Sequence, residues 1–397
     1  MEFSAVASDL SEVLSLARSI VPTRTTIPVL NNVRIRTQRG GVVIGATDSS
    51  MDAVLFEPCE VISEGETTVN ANLLHGLVKA FPGKDLVTLK VNEDGSRALV
   101  ACGRSKFSLC CLPVDGFPEC PPRPESAMSF TLPVSKLIEL FNATKHVTLE
   151  QSQDRYYFQG VCVHTTPEHL VFVAANGKQF AKIVCEKPMG FSSQIVDAPI
   201  IPNAAVKAIS TILAAQDSDA PVTISFAKFR VWMTVGHVTF SAKLIDGKFL
   251  EYPQMIPTTN KVSFRVVASE LAVALNRLSI VYAGTDIKAP VAVLSCAEGG
   301  GIEVAAGKFT GDHGTDFVAA EIVERMPQFG VSPQYLSELV GLWPSTATLN
   351  IYSANPSAPI LLSSDALPEM QQAVMPMNPG GQIAGTAAAR KQLETAA

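Results

Sequence analysis

Three kinds of residue in this 397-residue sequence have the side chains for chemistry: lysines after glycine, the histidines and cysteines, and one arginine set beside tyrosines. Gly307-Lys308 resembles the end of a phosphate-binding loop, but Phe309 stands where Ser or Thr must hold magnesium, and Gly301 lies one residue too far upstream. Gly177-Lys178 is followed by Gln179 and fails the same test. No G-x-G-x-x-G follows a strand pattern, and no G-x-S-x-G elbow occurs. His75, His146, His164, His169, His237 and His313 are scattered, and the eight cysteines show no C-x-x-C spacing. Cys162 and Cys185 sit in apolar runs, so buried reduced thiols are expected for most cysteines; Cys110 and Cys111 should project to opposite faces of a strand. Asp217 and Asp219 read as a solvated turn. No metal site and no cofactor is expected, and an active site assembled from distant residues is the route by which the chain could still be an enzyme.

The remaining cluster is Gln151-Ser152-Gln153-Asp154-Arg155-Tyr156-Tyr157-Phe158. An arginine beside two tyrosines can contact phosphate and stack on unpaired bases. The competing reading is an ordinary strand start whose aromatics pack into a sheet.

The elements that must position these groups repeat. Phe3, Ser8, Leu10 and Leu14 recur as Phe130, Ser135, Leu137 and Phe141, and again as Phe264, Ser269, Leu271 and Leu275. The copies begin 127 and 134 residues apart, a domain-sized period. Each reads as a strand running into a helix, with the serine as the N-cap and the leucines as an apolar stripe. A second phrase lies halfway between copies: Val69, Leu74 and Leu77; Ile201, Val206 and Ile209; Val331, Leu336 and Leu339. The chain therefore reads as six strand–helix half-repeats in an α+β fold. Proline-rich Pro113–Pro124 and Pro253–Asn260 mark linkers, which divides the chain into 1–125, 126–259 and 260–377. From Asn378 the composition has little to bury, and 378–397 reads as a flexible tail.

With 47% hydrophobic and 17% charged residues, the chain can bury substantial cores. No apolar run reaches membrane-span length and the N-terminus lacks a signal-peptide layout, so a soluble, cytoplasmic protein without a membrane partner is expected. The net charge of −6 argues against a basic coat. In the six expected helices, counting Lys145 with the third, basic side chains exceed acidic ones by one, leaving −7 elsewhere. These features leave three classes open: a nucleic-acid-binding protein, an enzyme, or a peptide-binding repeat scaffold.

Taken together with Ile27-Pro28-Val29-Leu30, Thr47-Asp48, Phe107-Ser108-Leu109, Asp154–Tyr157, Asp246-Gly247-Lys248-Phe249 and Val374–Met377, the repeat resembles the bacterial DNA polymerase III beta subunits, the sliding clamps, over residues 1–377. The resemblance implies a DNA clamp fold of three similar domains. Two chains would close head to tail into a homodimeric ring, with helices lining the hole and no catalysis. It implies double-stranded DNA as a partner held without sequence preference, through Arg24, Gln151, Gln153, Arg155, Tyr156 and Tyr157. A pocket for peptides of the DNA polymerase III alpha subunit, the clamp-loader subunits and other clamp-binding proteins would include Phe158, Ala175, Gly177, Lys178, Phe180 and Leu250. Met255, Val374, Met375, Pro376 and Met377 would complete it. Phe107 and Leu109 of one chain would meet Ile280 and Val281 of the other. Many family members read Asp-Gly-His-Arg-Leu where this chain has Asn176-Gly177-Lys178-Gln179-Phe180, and proline where it has Leu250; a basic residue is common at Asn378.

Overall fold

The computed structural model describes residues 1–188, 191, 198–256, 261–282, 289–307 and 312–378, without the side chains of Gln254 and Met255. Lys308, Phe309, residues 257–260 of the second linker and the tail beyond Asn378 lie outside the described residues. The fold is α+β. Its described helices are α1 (Ala7–Ile20), α2 (Ala71–Lys79), α3 (Val134–Asn142), α4 (Asn203–Ala214), α5 (Ala268–Tyr282) and α6 (Pro333–Val340). None is long and apolar enough to cross a membrane.

The chain forms two compact units. One holds Met1–Phe141, Val163–Thr165 and Lys187–Gly247; the other holds Asn142–Cys162, Thr166–Glu186 and the chain from Lys248. Residues 126–259 thus contribute to both.

The first unit is built on a 13-stranded sheet. From one edge, Met128–Pro133, Pro221–Ala227, Arg230–Val235 and Val238–Lys243 follow one another, and the last pairs antiparallel with Met51–Pro58. The sheet continues through Gly41–Thr47, Asn32–Gln38, Gly65–Asn70, Ser105–Leu112, Arg97–Cys102 and Leu86–Val91 to Glu2–Val6 and Glu60–Ser63. In the second unit one sheet runs from His169–Ala175 through Gln179–Glu186, Met370–Val374, Ile360–Ser363, Thr348–Tyr352 and Phe264–Val267 to Ala320–Ile322. A separate four-stranded sheet carries His313–Val318, Ile302–Gly307, Ala292–Cys296 and Phe329–Val331.

The repeat is visible in the register. Phe3 faces Leu89, Phe130 faces Ile224 and Phe264 faces Ile351, and all three phenylalanines are buried. Burial of one such ring contributes about 1.5–3 kcal/mol. Leu10, Leu14, Leu137, Phe141, Leu271 and Leu275 are buried behind them, which is the expected helix stripe. α1 packs on α2, and α5 on α6.

The N-cap role expected for Ser8, Ser135 and Ser269 does not hold, because each serine lies one residue inside its helix. The free amides of the first turn are taken by backbone carbonyls instead. Ala7 N and Ser8 N donate to Asp85 O and Gly83 O, both at 2.9 Å. Val134 and Ser135 donate to Ala220 and Ser218 at 3.0 and 2.8 Å; Ala268 and Ser269 donate to Ala347 and Ser345 at 2.9 and 3.0 Å. The same two-bond closure thus recurs in all three copies, and it satisfies orphan donors that would otherwise need a side chain. Asp217 and Asp219 belong to one of these receiving turns. Side-chain caps occur in the second phrase, where Asn70 Oδ1 accepts from Leu73 N at 3.0 Å and Ser332 Oγ from Tyr335 N at 3.4 Å.

Two further expectations need correction. Of the eight cysteines only Cys102, Cys162 and Cys185 are buried, and Cys110 is exposed, because the strand Ser105–Leu112 has no cover on one face. α3 ends at Asn142, so Lys145 falls in a separate 3-10 turn, and the helices then carry as many acidic as basic side chains.

The first linker lies flat on the face of the first unit's sheet. Phe117 is buried above Gly45. Trp232 Nε1 donates to Pro121 O at 3.1 Å, and Arg123 Nη1 reaches Ser129 and Ser225 hydroxyls at 3.3 and 3.4 Å. Nearby, Arg230 Nη1 donates to Asp52 Oδ2 at 2.6 Å and to Ser241 Oγ at 2.8 Å, and Thr47 Oγ1 donates to Asp52 Oδ1 at 2.8 Å.

Candidate functional site

The second unit contains an apolar recess, and its geometry starts from one hairpin turn. Asn176 Oδ1 accepts from the amides of Lys178 and Gln179 at 2.9 and 2.7 Å, which folds the chain back between His169–Ala175 and Gln179–Glu186. Gly177 sits at φ +82°, a left-handed conformation that a side chain would strain. The strand Met370–Val374 then pairs alongside, Gln179 facing Val374, and Met375 N donates to Lys178 O at 2.8 Å.

The resulting recess is lined by Ala175, Gly177, Lys178, Gln179, Phe180, Leu250, Ile256, Pro359, Ala373 and Met375. Its aromatic surroundings are ring on ring. Phe180 lies 5.4 Å from Tyr252, and Phe158 lies 6.2 Å from Phe249 and 4.6 Å from Tyr157. Burial pushes the Tyr252 hydroxyl up to about 12, so that side chain stays neutral. Gln179 is buried but satisfied: its Nε2 donates to Tyr335 O and Glu338 Oε2 at 3.1 and 3.0 Å, and its Oε1 accepts from Asn176 at 2.8 Å.

Six of the expected pocket residues meet here: Ala175, Gly177, Lys178, Phe180, Leu250 and Met375. Phe158 is buried beneath Gly177, and Val374 is buried between Gln179 and Ile360 in the sheet. Pro376 is half-buried beyond Met375, and Met377 N is tied to Gly330 O at 2.8 Å. Met255 ends the turn Tyr252–Met255, and its side chain lies outside the described residues. Gln179, Ile256, Pro359 and Ala373 were not anticipated. Gln179 and Ala373 adjoin residues that were, but Pro359 arrives from the loop before Ile360–Ser363 and carries no local signal.

The Gln151–Phe158 cluster does not form a strand start. Tyr156–Phe158 makes a 3-10 turn and the strand begins at Gly160, so the aromatics are not packed as a sheet edge. Gln151, Gln153, Arg155 and Tyr156 are exposed, Tyr157 is half-buried and Phe158 buried. Ser152 fixes the loop, accepting from Arg155 N at 3.0 Å through its hydroxyl and from Gln159 Nε2 at 2.6 Å through its carbonyl. Arg24 is exposed in the first unit, after α1. Phe107 and Ile280 are exposed apolar side chains, while Leu109 and Val281 are half-buried.

The family model described as DNA polymerase III beta subunit, N-terminal domain, matches residues 1–121, and that for the central domain matches 131–251. The chain is 31% identical to the beta sliding clamp of Pseudomonas aeruginosa over 258 residues, covering 65% of this chain and 68% of the relative. It is 26% identical to that of Pseudomonas putida over 388 residues, covering 95% of this chain and all of the relative. Among solved structures, a Pseudomonas aeruginosa sliding clamp with ligand superposes with a TM-score of 0.87 at 25% identity, and a Bartonella birtlesii clamp bound to griselimycin with 0.86 at 26%. Each covers 95% of this chain and all of the other. Repeat, fold and relatives agree: the chain belongs to the family of DNA polymerase III beta subunits, the non-catalytic sliding clamps that serve as processivity factors.

Proposed function

We propose that two copies of this chain close head to tail into a ring around duplex DNA, each contributing three domains, 1–125, 126–259 and 260–377. The observation that carries this reading is the repeat itself, three strand–helix starts closed by the same pair of backbone bonds. Near-equivalent units suit a near-cylindrical duplex. Phe107 and Leu109 of one chain would meet Ile280 and Val281 of the next, covering apolar side chains that a monomer leaves in water. Arg24 and the loop carrying Gln151, Gln153, Arg155, Tyr156 and Tyr157 would touch the sugar–phosphate backbone without reading bases. The recess at Phe180 and Met375 would receive short apolar peptides of the DNA polymerase III alpha subunit, of clamp-loader subunits and of other clamp-binding proteins, in the cytoplasm. Met375, Pro376 and Met377 support that use, because thioether side chains reshape around different guests.

Topology gives the test. Once loaded on a nicked circle by a bacterial clamp loader, the chain is expected to stay bound until the circle is cut, and then to run off. Equal retention on circular and linear DNA would overturn the ring. Light scattering should give twice 42.2 kDa, and Ile280→Asp with Val281→Asp should return a folded monomer.

A further inference from the structure

We propose that the chain builds the frame of the recess twice, and that in the first unit a bonded group, Thr47, Asp52, Arg230 and Ser241, replaces its apolar lining and bars apolar peptides. The inference rests on reading the recess as a peptide site. The two frames agree bond by bond. In the hairpin joining Gly41–Thr47 to Met51–Pro58, Asp48 Oδ1 accepts from the amides of Ser50 and Met51 at 2.8 and 2.6 Å, as Asn176 does from Lys178 and Gln179. Ser49 takes the left-handed conformation of Gly177, at φ +73°. Lys243 N donates to Ser50 O at 2.9 Å, where Met375 N donates to Lys178 O. The segment along each frame repeats as well. Asp115-Gly116-Phe117-Pro118-Glu119 matches Asp246-Gly247-Lys248-Phe249-Leu250-Glu251 with Lys248 inserted, and both phenylalanines are buried.

The register then sets the lining residues against one another. Asp52 faces Thr47 on one side and Ser241 on the other, as Phe180 faces Ala175 and Ala373. Val231 faces Ala242 as Ile360 faces Val374, which puts Arg230 in the place of Pro359 and Lys243 in that of Met375. Ala175, Phe180, Pro359, Ala373 and Met375 of the recess therefore all have polar counterparts in the first unit. Four of these counterparts hold one another. Asp52 accepts from Thr47, Arg230 and Ser241 at 2.8, 2.6 and 3.2 Å, and Arg230 Nη1 also donates to Ser241 Oγ at 2.8 Å. Thr47, Asp52 and Ser241 are buried. An apolar side chain entering this frame would strip partners from a buried carboxylate and return none, whereas in the recess it displaces water alone. Exclusion thus comes from what the site would lose, and the backbone frame is the same in both places.

The probe is a neutral, acetylated and amidated hexapeptide carrying a leucine and a phenylalanine. In titration calorimetry the full chain is expected to bind about one peptide per chain, and Thr47→Ala, Asp52→Phe, Arg230→Leu, Ser241→Ala combined about two. Apolar replacement of a whole buried ion pair commonly leaves a fold standing, which circular dichroism checks here. A folded variant that still binds about one peptide overturns the proposal. A second arm uses the parent alone. Cys120 lines the cleft left beside the first frame, its thiol 3.9 Å from Ser241 Oγ. Saturating peptide should leave the alkylation rate of Cys120, followed by mass spectrometry, within about two-fold of its free value. Stronger protection means that the first frame already takes the peptide, and it overturns the proposal even if the variant does not fold. If the parent binds no peptide, or Met375→Ala leaves its affinity unchanged, the peptide reading of the recess is wrong and this proposal falls with it.

Discussion

The first linker and the segment that leads into the second behave in opposite ways. In the first unit Pro113–Pro124 lies down on a sheet and is fixed by hydrogen-bonding groups, Trp232 to Pro121 O and Arg123 to two serines. Beside it the Asp52–Arg230 pair is shut away, its side chains 6% and 14% exposed. In the second unit Phe249–Ile256 is held ring against ring, Phe249 on Phe158 and Tyr252 on Phe180, and Leu250 and Ile256 are left lining open space. Polar fixation leaves a cleft with Arg34, Arg36 and Glu119 in its walls beside the first linker, whereas aromatic propping leaves an apolar groove. A binding site belongs where the apolar side chains still lack a partner.

The largest effect should come from the ion pair beside the first linker. Asp52→Ala leaves the Arg230 charge buried without its carboxylate and should cost about 3–5 kcal/mol in urea unfolding, with no change in peptide affinity. A loss under about 1 kcal/mol would mean that water already reaches the pair.

Acid should weaken the side that holds the groove. Burial pushes His146 down from 6.5 to about 4, against a smaller raising effect of the Asn142 backbone. The unfolded chain then binds this proton first, so the stabilisation is complete above about pH 6.5 and is lost as pH falls towards 4, by up to about 3 kcal/mol. His146→Gln should flatten that slope. His75 on α2 is also lowered by burial, with Arg18 adding, and His75→Gln isolates the first unit's share. An unchanged pH profile in His146→Gln would show that its site opens to water.

The smallest effect is at the groove's turn. Gly177→Ala forces a side chain into φ +82° and should cost about 1–2 kcal/mol while displacing Arg155. Peptide affinity should fall with it. Unaltered stability and affinity would mean that the turn relaxes freely and does not shape the recess.

Much of this architecture was legible before any coordinates. The phenylalanine–leucine phrases mark where strands run into helices, because helical and strand periods are written in neighbouring residues. Strands such as Leu86–Val91 and the breaks at Pro22 and Gly236 follow from local propensity alone. The turn at Asn176–Gly177 is equally local. What tertiary structure decided is everything that depends on a distant partner. Serine in the first turn looked like a cap, yet the carbonyls that close α1 arrive from Gly83 and Asp85, far along the chain. Asp52 gave no sign that it would meet Arg230, nor Pro359 that it would line the same recess as Phe180. A period of two or 3.6 residues constrains which face of an element is apolar, but not which remote segment covers it. The sequence therefore determined the six starts and their order, and packing between distant segments decided which apolar surface was covered and which was left as a groove.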